Sequence, residues 1–386
     1  MKSKAVGDES SFPRVHAFII GWFCLSRILA GRWNTRATTT IVYTGMAKQL
    51  QAIIVGCGAM SSEWIRSAKE LGVQITSLVD LNPESARRQA AAFQLDEALI
   101  FENLSEAIER SPAQLLFDCT IPASHLDVDL KALSHGLHVL EEKPLAPDLA
   151  SAKQLVELAQ KNGLAHVVVQ NRRFNAGIRK IRRLLDLGSI GELTGVNIDF
   201  FVPAHFGGFR EQMDHVLLTD MAIHPFDAVR FVTRANAETV YCDEWNPKAS
   251  WWQHGAAASA IFQMDGGIRF SFRGSWCAEG LRTSWDGAWR IVGTKGTIVW
   301  DGLDDVRGEQ VKIPEGFFYE QQPLDVGEEP DPAETRGHFS VMTQFLRQVT
   351  EGIPAETRSA DNIHSLAMVL AAIESSDARC IVPVRV

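Results

Sequence analysis

Three kinds of pattern are missing from this sequence. Its six cysteines, at positions 24, 57, 119, 242, 277 and 380, form no Cys-x-x-Cys pair and no cluster with histidine. That scatter excludes zinc ribbons and redox dithiols, and in a chain of 386 residues it reads as reduced thiols of an intracellular protein. No apolar run approaches the roughly 18 residues that cross a bilayer. Nor is there a basic field, because 38 Lys and Arg stand against 47 Asp and Glu, a net charge of −9. Nucleic acid and membrane surfaces are therefore not expected partners. What is present, 46% hydrophobic and 22% charged residues, is the composition of a folded globular chain. Its length allows about two domains of ~150 residues each. The expectation is a cytoplasmic protein.

Residues 1–45 read differently from the rest. Six basic residues, from Lys2 to Arg36, face only Asp8 and Glu9, around an apolar stretch from Ala17 to Leu25. A secretory signal combines a basic start with an apolar region of about 7–15 residues. Here Asp8 and Glu9 interrupt the basic start, and the cleavage site near Ala30 is poor. Met46-Ala-Lys-Gln-Leu-Gln leads directly into an apolar run. The segment is expected to be a disordered or mis-started extension, with a targeting peptide as the alternative.

From Leu50 to Asn171, short apolar runs alternate with amphipathic helical periodicity. Strands are predicted at Ala52–Val55, Ile75–Val79, Leu115–Cys119, His138–Glu141 and Ala165–Val169. The helices between them imply a parallel sheet covered on both faces. The first strand runs into Gly56-Cys57-Gly58-Ala59-Met60 and then a helix. In that geometry Gly56 permits a tight turn, Gly58 lets backbone approach a pyrophosphate, and the helix N-terminus offers free N–H groups. Ser61 stands where a third glycine or alanine is usual, and could offer a hydroxyl near the phosphates. Asp80 ends the second strand, where a carboxylate accepts hydrogen bonds from the adenosine ribose. It would repel a 2′-phosphate, so NAD is expected over NADP. After the fourth strand comes Glu142-Lys143-Pro144. A lysine there can hydrogen-bond a substrate hydroxyl and stabilise a developing alkoxide.

Beyond Asn175 the pattern changes to a helix at about Ile178–Leu187 and then long alternating runs. Those runs span Gly195–Val202, Ala237–Glu244, Ala256–Met264, Ile268–Trp276, Ala288–Val292 and Thr297–Trp300, and predict an antiparallel sheet with one covered face. Gly302–Pro332, acidic and rich in Gly and Pro, reads as the least ordered internal stretch. Two helices, about His338–Thr350 and Asp361–Ser375, close the chain. Asp220 and His224 are spaced to share a helical face. An imidazole there can accept a hydroxyl proton while a carboxylate fixes its tautomer, although the spacing alone favours a buried structural pair. Arg172, Arg173 and Asn175, at the junction of the halves, are candidates to bind substrate or simple helix-entry residues. Trp251, Trp252, Trp276 and Trp285 could stack on a sugar ring but suit a core or interface better, and Trp64 reads as packing. No metal-ligand spacing occurs, so metal-free chemistry is expected.

Gly56 to Met60, Asp80, Pro122-Ala-Ser-His125 and Glu142-Lys-Pro144 together resemble the glucose–fructose oxidoreductase / inositol dehydrogenase (Gfo/Idh/MocA) family, over nearly everything from Met46 onward. The resemblance implies an α/β fold. Residues 46–170 would form an NAD-binding Rossmann domain with a doubly wound parallel sheet. Residues 171–386 would form an α+β domain with an open, mainly antiparallel sheet for substrate binding and for a homodimer or homotetramer. It implies that Thr120, Pro122, His125 and Glu142 lie beside the cofactor and that the Lys143–Pro144 bond is cis. It also makes Lys143, Asp220 and His224 the catalytic residues, although Val216-Leu-Leu-Thr219 replaces the glycines often found before the Asp. The implied activity is hydride transfer between nicotinamide and a hydroxyl carbon of a sugar or polyol. Two alternatives from other classes are an NAD-dependent glycoside hydrolase with transient C3 oxidation and a non-catalytic NAD(P)-sensing regulator.

Overall fold

Apolar residues at consecutive positions of a strand require cover on both faces, and the first sheet has it. The computed structural model describes residues 49–386, so the expected extension at 1–45 lies outside the described residues. The six parallel strands are β1 (Gln51–Val55), β2 (Gln74–Val79), β3 (Leu99–Phe101), β4 (Leu115–Asp118), β5 (His138–Glu141) and β6 (His166–Val168). They are ordered β3-β2-β1-β4-β5-β6. The connecting helices are α1 (Ser61–Glu70), α2 (Pro83–Phe93), α3 (Leu104–Arg110), α4 (Pro122–Ser134) and α5 (Leu149–Asn162). Their starts follow local chemistry. The side chains of Asn82, Asn103 and Asp148 accept from N–H groups of the first turns of α2, α3 and α5, satisfying donors that have no intrahelical partner. Gly163, in the left-handed region, ends α5.

Alternate strand residues feed two cores. Ala52, Ile54, Leu115, Phe117, Leu140 and Val167 pack on one face; Ile53, Val55, Leu116, Val139 and Val168 pack on the other. Strand β3 was not foreseen, since three residues are too few to show a period.

The second sheet has nine strands. After α6 (Ala176–Asp186) come β7 (Leu193–Phe201), α7 (Ile223–Thr233), β8 (Ala237–Trp245), β9 (Ala257–Met264), β10 (Arg269–Ser275), β11 (Ala288–Gly293) and β12 (Gly296–Trp300). Then follow β13 (Val306–Ile313), β14 (Glu320–Pro323), α8 (His338–Glu351), α9 (Ser359–Ala378) and β15 (Val382–Pro383). The order is β14-β13-β12-β11-β7-β10-β9-β8-β15, and every pairing is antiparallel except β7 with β10. Strands β13 and β14 correct the expectation that Gly302–Pro332 lacks order. They form the sheet's edge, where one flank stays wet and few apolar residues are needed. Val306 and Leu324 alone are tucked under it.

Helix α8 belongs by packing to the first sheet. Val341, Met342 and Phe345 join the core of Ile54, Phe117 and Trp64, and Phe345 meets Phe117 edge-on at 6.3 Å. The C-terminal part of the chain thus returns to brace the nucleotide lobe beside its first helix.

Candidate active site

Strand order reverses between β1 and β4, and open α/β sheets bind ligands outside the carboxyl ends at such a point. Here the turn after β1 is drawn tight. Gly56 has φ +85°, its N–H donates to Val79 O at 2.8 Å, and a Cβ would lie 2.7 Å from the Cys119 carbonyl. No other residue fits that position. Gly58 is the opposite case, since a Cβ there would meet nothing within 4 Å. Its open side is where a pyrophosphate fits, with α1 beginning just beyond. Asp80 reaches across the turn: Oδ2 accepts from Cys57 N–H at 2.7 Å and Oδ1 from Asn82 N–H at 2.8 Å. Exposed Met60, Leu81 and Ile121 lie at the same carboxyl ends. An open backbone cradle, a carboxylate at the second strand end and apolar side chains left in solvent fit a dinucleotide.

Other residues of this region are tied into the fold by their own contacts. Ser61 is fully buried and its hydroxyl donates to Gly58 O at 2.7 Å. It closes the turn and does not face the phosphates, which corrects the expectation of a free hydroxyl. The Cys57 thiol is pushed up to about 12 by burial and by Asp80, so it stays protonated and inert. His125 is also fully buried, with Nδ1 2.8 Å from Pro144 O and Nε2 3.3 Å from Thr120 O. It links the loops that carry Thr120 and Pro144. Thr120 N–H donates to Asp118 Oδ1 at 2.8 Å, and Pro122 occupies the first turn of α4.

The turn after β5 carries Glu142, Lys143 and a cis bond to Pro144. Trp64 Nε1 donates to Glu142 Oε1 at 2.8 Å, and His338 Nε2 at the start of α8 lies 3.5 Å from the same oxygen. Burial alone would raise this carboxyl; His338, Trp64 and Lys143 outweigh it and hold it below the usual range. Lys143 Nζ donates to Asp220 O at 2.7 Å and to Asp220 Oδ1 at 2.9 Å. An ammonium has three N–H groups, so one remains for a ligand.

Asp220 lies in a π-helical turn, Leu217–Ala222, that runs into α7. The wider turn breaks the register in which residues four apart would stack. As a result, the Asp220 carboxylate serves Lys143 and, at 3.4 Å, Arg210 Nε. His224 Nδ1 is buried without a hydrogen-bond partner. Asp220 therefore orients Lys143, which corrects the expected orientation of His224. Burial, then the charges of Lys143, Arg172 and His338, hold the imidazole well below its usual 6.5. The ring is neutral at neutral pH and can accept a proton.

The three junction residues separate. Arg172 Nη1 donates to Asp286 Oδ1 at 2.8 Å and Asn175 Nδ2 to Asp286 Oδ2 at 3.0 Å. Arg172 and Asp286 line a small cavity with His224, Met221 and the half-exposed Trp285. Arg173 instead points inward. Its guanidinium grips both oxygens of Asp227 at 2.6 and 2.7 Å and reaches Asp361 at 2.7 Å. As a candidate for substrate it is corrected to a buried anchor of α7. Trp252 and Trp276 are core, and Trp64 is buried as expected. Arg210, Asp286 and His338 were not foreseen. The local sequence around each carries no sign of what it will face across the cleft.

Comparisons with known proteins add the class. Residues 50–170 match the family model described as oxidoreductase family, NAD-binding Rossmann fold, and residues 178–299 match the GFO/IDH/MocA C-terminal domain. The chain belongs to the Gfo/Idh/MocA family of NAD-binding oxidoreductases. An uncharacterized protein of Sinorhizobium fredii is 24% identical over 83% of this chain and 92% of its own length. Inositol 2-dehydrogenase of Corynebacterium glutamicum is 29% identical over 58% of this chain, an alignment that spans 66% of that enzyme. The crystal structure of an oxidoreductase from Agrobacterium radiobacter, in complex with NAD+, L-tartaric acid and magnesium, shares the fold. It superposes with a TM-score of 0.77 at 19% identity, covering 87% of this chain and 98% of that one. Among the described residues no helix is long and apolar enough to cross a membrane.

Proposed function

We propose that the protein is an NAD-dependent dehydrogenase acting on a hydroxyl carbon of a sugar, polyol or related carbohydrate. The observation that carries this reading is the pairing of a charged, partly committed Lys143 with a neutral, buried His224 at one end of the nucleotide cleft. Bound NAD supplies the hydride acceptor. Gly56, Gly58 and Asp80 would hold the dinucleotide, with the loop at Thr120 to Pro122 on its other flank.

The substrate hydroxyl takes the remaining N–H of Lys143, whose charge stabilises the oxygen as it loses its proton. His224 accepts that proton, which its lowered basicity lets it do from neutral pH downward. Asp220 fixes Lys143 through two of its three N–H groups. Arg172, with Asn175 and Asp286, would bind the remaining hydroxyls. Arg210, whose guanidinium packs over Phe206 and Phe209 at 5.3 and 4.9 Å, would close the far side. The relatives named inositol 2-dehydrogenase support the substrate class. The polar face of the nine-stranded sheet, with Asn197, Asp199, Arg273 and Arg290, would take a second copy of the chain.

The test is NADH formation by the full chain against a panel of inositols, aldoses and sugar acids, with Lys143→Ala and His224→Ala alongside. Turnover in the wild type with loss in both variants supports the reading. Glycoside cleavage with no accumulation of NADH would replace it by the hydrolase alternative.

A further inference from the structure

The nucleotide lobe contains a second polar cluster, on the far side of its sheet from Trp64 and α8. Neighbouring strands β4, β5 and β6 contribute Asp118, Glu141 and His166 to the face that carries Leu116, Val139 and Val168. Helix α4 covers that face and adds Asp129. Asp118, Asp129 and Glu141 are 0% exposed and His166 1%. His166 Nε2 lies 3.2 Å from Asp129 Oδ2 and 3.0 Å from Glu141 Oε1. One ring N–H cannot serve both, and only the contact with Asp129 is aligned as a hydrogen bond. Neither oxygen of Glu141 has a hydrogen-bond partner, nor does Oδ2 of Asp118, for which Asp129 is the strongest neighbouring charge.

Carboxylates this deep in an apolar core must be paired, protonated or bound to a metal; without a metal, burial and then Asp129 push Glu141 well above the usual carboxylate range. We propose that Asp129, Glu141 and His166 form a structural binding site for a divalent cation of the zinc or manganese class. The donor set is right for those ions, one imidazole nitrogen and two carboxylate oxygens. So is the spacing: the three ligand atoms lie within 4.8 Å of one another. Donors about 2.0–2.2 Å from a tetrahedral ion stand roughly 3.4 Å apart, close to the two separations at His166. A dication cancels the two carboxylate charges.

The ion pins α4 to β5 and β6, just below the turn that presents Lys143. It takes no part in the reaction. No metal-ligand spacing shows in the sequence because the three ligands come from three separate elements.

The test uses the full chain. Metal content is measured after purification without chelator, and chelator-stripped protein is titrated with Zn2+, Mn2+ and Co2+ while its Tm is followed. The proposal expects about one equivalent of tightly held ion, a rise in Tm of at least about 2 °C on reloading, and tetrahedral d–d absorption with Co2+. The double variant Glu141→Gln/His166→Gln is expected to lose all three. Should that variant fail to fold, the Co2+ spectrum and the stoichiometry of the wild type still decide. Wild-type protein that holds no ion and shows no Tm response overturns the proposal, and so does a folded variant that binds as well as wild type. A variant more stable than wild type, with neither form responding to metal, would show a proton-sharing hydrogen-bond network instead.

Discussion

Two ion pairs seven positions apart on one helical segment have opposite characters. Asp220 meets Lys143 where both side chains are partly open, 16% and 18% exposed, and one lysine N–H is left over. Asp227 meets Arg173 where they are 1% and 5% exposed. Its oxygens take two guanidinium bonds and a third from Ser365 Oγ at 2.7 Å. Arg230 and Asp361 complete that network at 3.1 Å. The inner pair is closed off from solvent and can only hold the helix. The outer pair is incomplete and can engage a ligand. His224 sits between the two, carried by a helix that the inner network fixes to α9.

Breaking the inner pair is expected to have the largest effect on stability. Asp227→Ala leaves Arg173 buried with fewer partners, and unfolding free energy should fall by about 3–5 kcal/mol in a denaturant titration. A loss below about 1 kcal/mol would erase the contrast between the two corners. Lys143→Ala should do the reverse. NADH formation should drop on the order of a hundredfold or more, about 2.7 kcal/mol, while NAD affinity measured by calorimetry stays within a few-fold. Arg172→Ala is predicted to raise KM by roughly tenfold with a smaller change in kcat, as expected for a group that binds ground state and transition state alike.

The same variant tests the charge environment of His224. If the neutral ring is the base, as proposed, the acid limb in kcat/KM should lie below pH 6.5. Removing a cation lets the ring bind protons more readily, and the limb moves up toward 6.5. No shift would mean that Arg172 does not act on His224. The smallest effect concerns acid stability. Burial raises Asp361, but Arg173 and Arg230 more than compensate and bring it to about 2 from an ordinary 3.8. A depressed carboxyl stabilises the fold above its unfolded value. That contribution should fade as pH falls from about 4 toward 2, and Arg230→Ala should weaken the dependence.

How much of this was readable in the chain depends on what each part is made of. The nucleotide cradle was legible because its requirements are local: Gly56 and Gly58 answer to backbone geometry, and Asp80 to the end of a strand. Alternating residues such as Phe270 and Phe272, both buried, announced the core strands of the second sheet. Its edge strands were hidden because a wet edge needs little apolar sequence. The proposed catalytic corner was half legible. Lys143 and Asp220 do meet, 77 positions apart, but spacing alone suggested Asp220 with His224, because a π-turn leaves no mark in the residues it contains. Arg172 and Arg173 carry identical side chains at adjacent positions. Only tertiary structure decides that one faces Asp286 at the cleft and the other Asp227 in the core.

The most direct test of the central claim compares wild type with Lys143→Met under saturating NAD and a polyol that the wild type oxidises. Methionine keeps the length of the stem and removes the charged donor. The account predicts a variant that binds NAD normally, is folded, and forms NADH at least about a hundredfold more slowly. A Lys143→Met enzyme that turns over at the wild-type rate would contradict it.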